Sequence, residues 1–350
     1  MTGHRGPGAA VARTIDTIRL TRCPVPTASG LAHRLGLLDA AFAGDGITVT
    51  LLQDGAPELA RHHLDHELPG LFREGGSIPA LAARARGAPT RLIGLTWIEE
   101  RQAILVRPGS GIDSPGALAG RRAALPVHGA EPGAGIMRAM ALQGFRGALG
   151  IAGLGLHAVE FTEVPDARDA HPEWTVNGAL PHPWTGIEAL RRGDVDAVYV
   201  KGAAALAHAA EAGVVIGIDL DDEDDPRSRV NNGTPRPITV HERTLAEHPE
   251  LVVRFLAETL RAADWAAGHR EELLRILHSD TGGTPEAVAA AHRGDFHRRL
   301  HPGLSDDRLT LLDQQKEFLV SHSFVRPDFP LDAWVAHEPL RAAHALVAAR

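Results

Sequence analysis

The chain has 350 residues, enough for two domains of ordinary size. Hydrophobic residues make up 44% and charged residues 23%, and the mean hydropathy is −0.10, which excludes a membrane protein, a collagen-like chain and a wholly disordered one. A net charge of −8 gives no indication of a nucleic-acid binder. The single cysteine, Cys23, excludes an internal disulfide and any site built from several cysteines.

The first part of the chain alternates short apolar runs with segments of helical periodicity, which predicts an α/β fold with a largely parallel sheet. The predicted strands here are residues 17–20, 47–52, 92–97 and 102–106. The predicted helices are residues 27–42 and 78–86. A Pro-rich run that contains Cys23 follows the first strand.

The middle of the chain continues the alternation, and the last third is nearly all helical. The predicted strands are residues 121–125, 157–164, 195–200, 214–220 and 238–240. The predicted helices are residues 114–118, 135–143, 185–192, 250–267, 271–277, 284–297, 305–320 and 331–349. Residues 165–183, rich in Pro, Asp and His, and the acidic run 221–225 are predicted to be loops.

This order predicts two α/β lobes joined by two crossings. One lobe comprises residues 14–106 plus 238–350, and residues 107–237 form an inserted second lobe, with the first crossing near residues 108–111. Ligands of such folds bind at the carboxyl ends of strands and at helix N-termini. We therefore expect the functional site in the cleft between the lobes.

The N-terminal residues contain no apolar run of the length that a secretory signal needs, because Arg13 ends a short one at residues 8–12. No later segment approaches the length of a membrane span. We expect a cytoplasmic protein, a monomer, with a loose N-terminal arm and with neither nucleic-acid nor membrane partners.

Three segments carry a resemblance at the level of fold. They are Leu-Ala-Gly-Arg-Arg at residues 118–122, the run Ala-Leu-Arg-Arg-Gly-Asp-Val-Asp-Ala at residues 189–197, and the stretch from His248 to Trp265. They resemble the solute-binding-protein superfamily with the periplasmic-binding-protein type II fold. The resemblance implies a two-lobed architecture with a ligand cleft, a fold that hosts both binders and enzymes.

A second resemblance bears on chemistry. The loop Cys-Pro-Val-Pro at residues 23–26, His63, and the run Arg-Glu-Gly-Gly-Ser-Ile-Pro at residues 73–79 resemble the 2'-hydroxybiphenyl-2-sulfinate desulfinase family. Enzymes of this family cleave an aryl sulfinate at the end of dibenzothiophene desulfurisation. The resemblance implies that Cys23, His63 and Arg73 are catalytic and that Gly76 lies at the anion.

The residue types at these positions suit an anionic substrate. Arg73 offers a planar fork of donors that matches the two oxygens of a sulfinate, and Gly75 and Gly76 let backbone amides approach an anion at a helix N-terminus. Cys23 serves as a nucleophile or as a proton donor, and the sequence leaves both open. His63 either takes the thiol proton as neutral imidazole or holds an oxygen as imidazolium.

Four features complicate this simple site. Glu74 stands where the family has Phe, and we expect its carboxylate to point away from the cleft, as a surface group would. His62 and His66 are spaced to face each other on a helix, but no third ligand is evident, so no metal is expected. The inserted lobe is shorter than the family's between Ala130 and Val164, and a helix that carries an aromatic wall there has no clear counterpart.

The resulting hypothesis is a desulfinase that hydrolyses the C–S bond of an aryl sulfinate and releases sulfite without a cofactor. The substrate would be the one partner, a small organic anion. The alternative is a non-enzymatic solute-binding protein for a small organosulfur or other anion. A cofactor-bearing biosynthetic enzyme of the same fold would need a lysine beside the active histidine, and the chain has lysine only at positions 201 and 316.

Overall fold

The structure, a computed structural model, describes residues 15–349 apart from residues 22, 24, 60, 129–134, 166–183 and 282–283. The expected N-terminal arm, and all but Pro165 of the expected loop at residues 165–183, lie outside the described residues. The strands are β1 Thr17–Leu20, β2 Thr48–Leu51, β3 Leu71–Glu74, β4 Thr90–Thr96, β5 Gln102–Val106, β6 Arg122–Pro126, β7 Glu160–Val164, β8 Val198–Lys201, β9 Val215–Asp219 and β10 Arg236–His241.

The helices follow the strands in the alternation that the sequence predicts, and those after β10 form the long C-terminal helical region. They are α1 Ala28–Arg34, α2 Leu37–Phe42, α3 His62–Asp65, α4 Ser77–Ala85, α5 Ile136–Ile151, α6 Ile187–Arg192, α7 Ala203–Ala212, α8 Glu242–Glu247, α9 Pro249–Gly268, α10 Arg270–Thr281, α11 Pro285–Ala291, α12 Asp306–Ser321 and α13 Glu338–Ala348. None of these helices, taken over the described residues, is long and apolar enough to cross a bilayer.

The first sheet has the order β2-β1-β3-β10-β4. β1 is parallel to β2 and β3, whereas β10 is antiparallel to both β3 and β4. Every strand of this sheet except β10 therefore runs in one direction, as the sequence predicts. β10 is the exception because it returns from the other lobe and enters the sheet from the opposite end.

The second lobe contains a three-stranded sheet, β8-β5-β9, and the parallel pair β6-β7, which an isolated bridge between Ala123 and Ala197 links to the segment before β8. β5 is antiparallel to β8 and β9. The sequence-based boundary places β5 with the first lobe, whereas in the structure β5 pairs with β8 and β9 of the second sheet. The change of sheet falls between β4 and β5, at residues 97–101, because β5 finds its hydrogen-bonding partners in the second sheet.

Two local expectations also differ from the structure. The single helix expected over residues 27–42 is two helices, because Gly36 adopts a positive φ of 70° before α2. The strand β3 has no counterpart in the sequence-based assignment, since two of its four residues are the charged Arg73 and Glu74. Their burial depends on partners from distant elements.

The core of the first lobe is formed where α9 packs on the first sheet. Phe72 of β3 stacks on Phe255 of α9, with ring centroids 3.9 Å apart. α9 carries apolar residues at helical spacing and buries that face, as the pattern of the sequence predicts. Because this face of β3 is fixed by aromatic packing, the strand is a rigid support for the residues at its carboxyl end.

The two segments that cross between the lobes are joined by buried hydrogen bonds. The Tyr199 hydroxyl donates to Oε1 of Gln102 at 2.7 Å, and Nδ2 of Asn231 donates to the Tyr199 hydroxyl at 3.0 Å. Gln102 follows the first crossing, and Asn231 lies in the second. This network ties both crossings to β8 at the base of the cleft.

Candidate active site

The candidate site lies at the carboxyl ends of β1 and β3. Because these two strands are parallel neighbours, with Leu20 opposite Phe72, the residues that follow them meet at one edge of the sheet. The thiol of Cys23 donates to the backbone carbonyl oxygen of Glu74 at 3.4 Å. The structure thus brings Cys23 next to the Arg73–Gly76 segment, although 50 residues separate them in the chain.

Arg73 is a buried cation with donors to spare. Its side chain is 1% exposed, its Nε donates to the carbonyl of His63 at 3.2 Å, and its Nη1 donates to the carbonyl of Gly76 at 3.1 Å. Among the described residues, Nη2 has no acceptor. Burial lowers the pKa of Arg73 to about 10, with a smaller opposing effect from the ionised form of Cys23. Arg73 therefore stays charged at neutral pH and can donate to an anion.

The two glycines after β3 are required by packing. A Cβ on Gly75 would lie 2.6 Å from the guanidinium carbon of Arg73, so the guanidinium lies directly over this residue. A Cβ on Gly76 would lie 2.2 Å from Oδ1 of Asn232, which belongs to the second crossing. The Gly-Gly pair thus allows the guanidinium of Arg73 to pack on Gly75 and the side-chain amide of Asn232 to pack on Gly76.

Of the backbone amides that the sequence predicts to bind an anion at the start of α4, some already have protein acceptors. The amide of Ile78 donates to Oδ1 of Asn232 at 3.0 Å, and the amide of Gly75 donates to the carbonyl of Pro237 at 3.2 Å. Over the part of the chain that the structure describes, the amides of Gly76 and Ser77 have no protein acceptor. These two remain as donors for an anion.

His63 contributes its backbone to the site and holds its ring in a buried position. Its carbonyl accepts from Arg73, and Nδ1 of its ring is buried without a hydrogen-bond partner. Burial, and then the charge of Arg73, lower the pKa of His63 to about 3. The ring is therefore neutral near pH 7, which argues against the imidazolium reading of His63.

The neighbouring histidines are engaged elsewhere. Nδ1 of His62 lies 2.7 Å from a carboxylate oxygen of Asp65, and Nε2 of His66 lies 3.0 Å from the carbonyl of His63. Within residues 15–349 as described, no group of three or more His, Cys, Asp or Glu side chains is arranged to hold a metal ion.

Glu74 does not behave as the surface group that the sequence suggests. It is 1% exposed, and its carboxylate accepts from the amide and hydroxyl of Ser29 at 3.0 and 2.7 Å and from the hydroxyl of Thr96 at 2.8 Å. The expectation of an exposed carboxylate is wrong because β3 is an inner strand whose both faces are covered. Glu74 joins α1 to β3 and β4 immediately beside Cys23.

A cavity of about 420 Å³ opens beside Cys23, on the side of α1 and α10. Its wall combines apolar residues, among them Leu31 and Leu273, with polar ones that include His33, Arg34 and Asp280. Neither His63 nor Arg73 lines it. Cys23 therefore lies between this cavity and the Arg73–Gly76 segment at the end of β3.

Comparison with known proteins identifies the family. No protein-family model matches the chain. The 2'-hydroxybiphenyl-2-sulfinate desulfinases of Rhodococcus erythropolis and Rhodococcus qingshengii are each 30% identical to it over 363 aligned positions. The alignment covers 95% of this chain and 95% of each relative. The chain belongs to the 2'-hydroxybiphenyl-2-sulfinate desulfinase family.

Solved structures agree with this membership. A variant of the desulfurization enzyme DszB in complex with biphenyl-2-sulfinic acid superposes with a TM-score of 0.74 and 25% identity, covering 95% of this chain and all of that one. The periplasmic aliphatic sulphonate binding protein SsuA of Escherichia coli has a TM-score of 0.66 at 16% identity, covering 93% of each chain. The latter likeness concerns the fold, which is the two-lobed type II architecture expected from the sequence.

The desulfinase family motif does not include several residues that shape this site. Asn232 caps α4 and covers Gly76, while Ser29 and Thr96 hold Glu74. The Asn-Asn-Gly run at residues 231–233 is a turn signal in the sequence, but nothing in it indicates contact with residues 150 positions earlier. The contact of Asn232 with α4 is visible only in the structure, where the second crossing packs against the start of that helix.

Proposed function

We propose that this chain is an enzyme that cleaves the C–S bond of an aryl sulfinate and releases sulfite, with Cys23, His63 and Arg73 as its catalytic residues. The observation that carries the proposal is the state of Arg73, a fully buried guanidinium with one nitrogen unused, held beside the only cysteine. Membership of the desulfinase family supports the reaction class.

The substrate anion would be bound at the end of β3. Nη2 of Arg73 and the free amides of Gly76 and Ser77 are donors with no competing protein acceptor among the described residues. A sulfinate carries one negative charge shared by two oxygens, so it can accept from the guanidinium and from a backbone amide at once. Gly75 contributes by letting the guanidinium lie flat over the chain.

The overall reaction is ArSO₂⁻ + H₂O → ArH + HSO₃⁻, and no step of it requires a redox cofactor. In one route, the Cys23 thiol gives its proton to the ring carbon, the C–S bond breaks and SO₂ departs. Water then converts SO₂ to HSO₃⁻ and a proton, which restores the thiol. Neutral His63 can accept and return that proton.

In the other route, the Cys23 thiolate attacks the sulfur. The aryl group leaves as ArH by taking the proton that left the Cys23 thiol, carried by His63 or by water, and a Cys–S–SO₂⁻ intermediate remains. Water cleaves that intermediate to the thiol and HSO₃⁻. Both routes use the same three residues, and they differ in whether sulfur is bonded to Cys23.

The first experiment measures sulfite release from a panel of aryl and alkyl sulfinates by the purified protein. We expect turnover of aryl sulfinates by the wild type, and none by Cys23→Ser, because a hydroxyl is a far weaker acid and nucleophile than a thiol. Cys23→Ser should still bind sulfinate, which calorimetry measures.

Three outcomes distinguish the hypotheses. More than about a tenth of the wild-type rate in Cys23→Ser removes Cys23 from the mechanism. Tight binding without turnover by the wild type supports the solute-binding alternative. Mass spectrometry of the acid-quenched enzyme during turnover separates the two routes, since only the second adds an SO₂ group to the protein.

A further inference from the structure

Arg236 lies at the same edge of the first sheet as Cys23 and Arg73. It is the first residue of β10, and it pairs with Thr96, the last residue of β4. Because β10 runs antiparallel to β3 and β4, its beginning lies where those strands end. The second crossing thus delivers Arg236 to the carboxyl edge at which the candidate site is built.

Arg236 is buried without a partner. It is 5% exposed, and its Nε has no hydrogen-bond partner. Among the described residues, its guanidinium donates no hydrogen bond and forms no ion pair. The other buried arginine of the second crossing, Arg229, donates to the carbonyls of Leu220 and Glu223. A guanidinium nitrogen that is shielded from solvent and has no acceptor, as Nε of Arg236 is, is unfavourable because its lost hydration is not replaced.

Arg236 packs on the part of the second crossing that contacts the candidate anion site. Its guanidinium lies over Gly233, where a Cβ would be 2.6 Å from Nη2. The amide of Gly233 donates to the hydroxyl of Ser77 at the start of α4, 3.4 Å away. The adjacent Asn232 covers Gly76. The charge of Arg236 also lowers the pKa of Arg73, which places the two cations near one another.

The carboxylates of this region are committed to other groups. Glu74 accepts from Ser29 and Thr96, and Glu100 lies 3.5 Å from Nζ of Lys201. Within the described part of the chain, no carboxylate pairs with Arg73 or Arg236. The two arginines therefore leave an excess of positive charge at the site.

We propose that Arg236 is a second anion-binding residue of this site and holds the charged group of the substrate together with Arg73. The identity of the anion as a sulfinate rests on the proposed function. Among the described residues, no carboxylate offsets the charge of Arg73 or of Arg236, so an anion bound beside both would compensate part of that charge. On binding it would also supply the acceptors that Arg236 lacks.

The test measures binding in the Cys23→Ser background by calorimetry. The probes are biphenyl-2-sulfinate and the neutral methyl biphenyl-2-yl sulfone. We expect Arg236→Gln to weaken sulfinate binding by about tenfold or more and to change sulfone binding by less than about twofold, since only the anion uses the charge. Arg236→Lys should lose less than Arg236→Gln. The matched control is Arg308→Gln, a half-buried arginine that bonds to the carbonyls of Leu95 and His301.

A stability measurement guards against a folding defect. Because Arg236 makes no hydrogen bond with the part of the chain that the structure describes, Arg236→Gln should melt at the same temperature as the parent or above it. The rise in melting temperature on adding sulfinate should be smaller. Sulfinate affinity within about threefold of the parent, or equal loss for sulfinate and sulfone, overturns the proposal.

Inorganic sulfite and benzenesulfonate separate this proposal from the proposed function. If the wild type turns over no sulfinate but Arg236→Gln loses affinity for these anions, the anion site stands and the desulfinase function fails. If the wild type binds none of the anions, the assignment of Arg236 fails as well.

Discussion

The guanidinium of Arg73 lies flat over the Cα of Gly75, so close that a Cβ on residue 75 would be 2.6 Å from its central carbon. The guanidinium of Arg73 is thereby held between the backbone of Gly75 and the carbonyls of His63 and Gly76, to which it donates. The position of the cation depends on the absence of a side chain at Gly75.

Gly75→Ala should therefore displace the guanidinium and lower kcat/KM for sulfinate by about tenfold or more, comparable to losing a charged hydrogen bond. Steady-state kinetics of sulfite release measure this effect. Gly44→Ala is the matched control, because a Cβ there meets nothing within 4 Å. Normal kinetics in Gly75→Ala would show that the substrate does not depend on the placement of Arg73.

Arg73→Lys should lose roughly ten- to a hundredfold in kcat/KM, and Arg73→Ala more, because lysine presents a point charge without the fork. Both substitutions also remove donors from the carbonyls of His63 and Gly76, at a cost of about 1–3 kcal/mol for each unsatisfied group. Kinetics should therefore be measured well below the melting temperature of each variant. If Arg73→Ala keeps near-normal kinetics, the anion site lies elsewhere.

Glu74→Gln should lower the stability of the protein more than its activity. The carboxylate accepts hydrogen bonds from Ser29 and Thr96, and an amide cannot accept on both sides. Loss of a hydrogen bond to a buried charged group costs about 1.5–3 kcal/mol, measurable by urea unfolding. Glu67→Gln, at an exposed position, should change stability by less than about 0.5 kcal/mol. Equal effects of the two substitutions would contradict the buried position of Glu74.

The lowered pKa of His63 predicts a pH dependence of stability. In the unfolded chain a histidine binds a proton near pH 6.5, whereas in the folded protein His63 does so only near pH 3. Between these values the unfolded state binds more protons, so the contribution of His63 to stability falls as the pH drops from 6.5 toward 3. Other buried histidines act in the same direction, so the test compares variants.

His63→Gln should show a smaller loss of melting temperature between pH 7 and pH 5 than the wild type does. Differential scanning calorimetry at the two pH values measures this difference. His344→Gln, which replaces an exposed histidine of α13, is the control and should leave the wild-type pH dependence unchanged. If His63→Gln retains the full dependence, the ring of His63 is not kept neutral by burial.

The sequence by itself determined the alternation of elements and indicated the family. Apolar periodicity predicted β1, β5 and α9 closely, because each has a local pattern that only one kind of backbone satisfies. The combination of Cys23, His63 and Arg73 indicated the family, and the 30% identity to the Rhodococcus desulfinases confirmed it.

Tertiary structure decided the features that depend on contacts between distant segments. The burial of Glu74 required Ser29 and Thr96, and the strand β3 formed around charges that no local pattern favours. Arg236 gained its place only because β10 enters the first sheet in the opposite direction to its neighbours. A buried polar group is stabilised by partners far away in the chain, so its role is fixed when the sheets and crossings assemble.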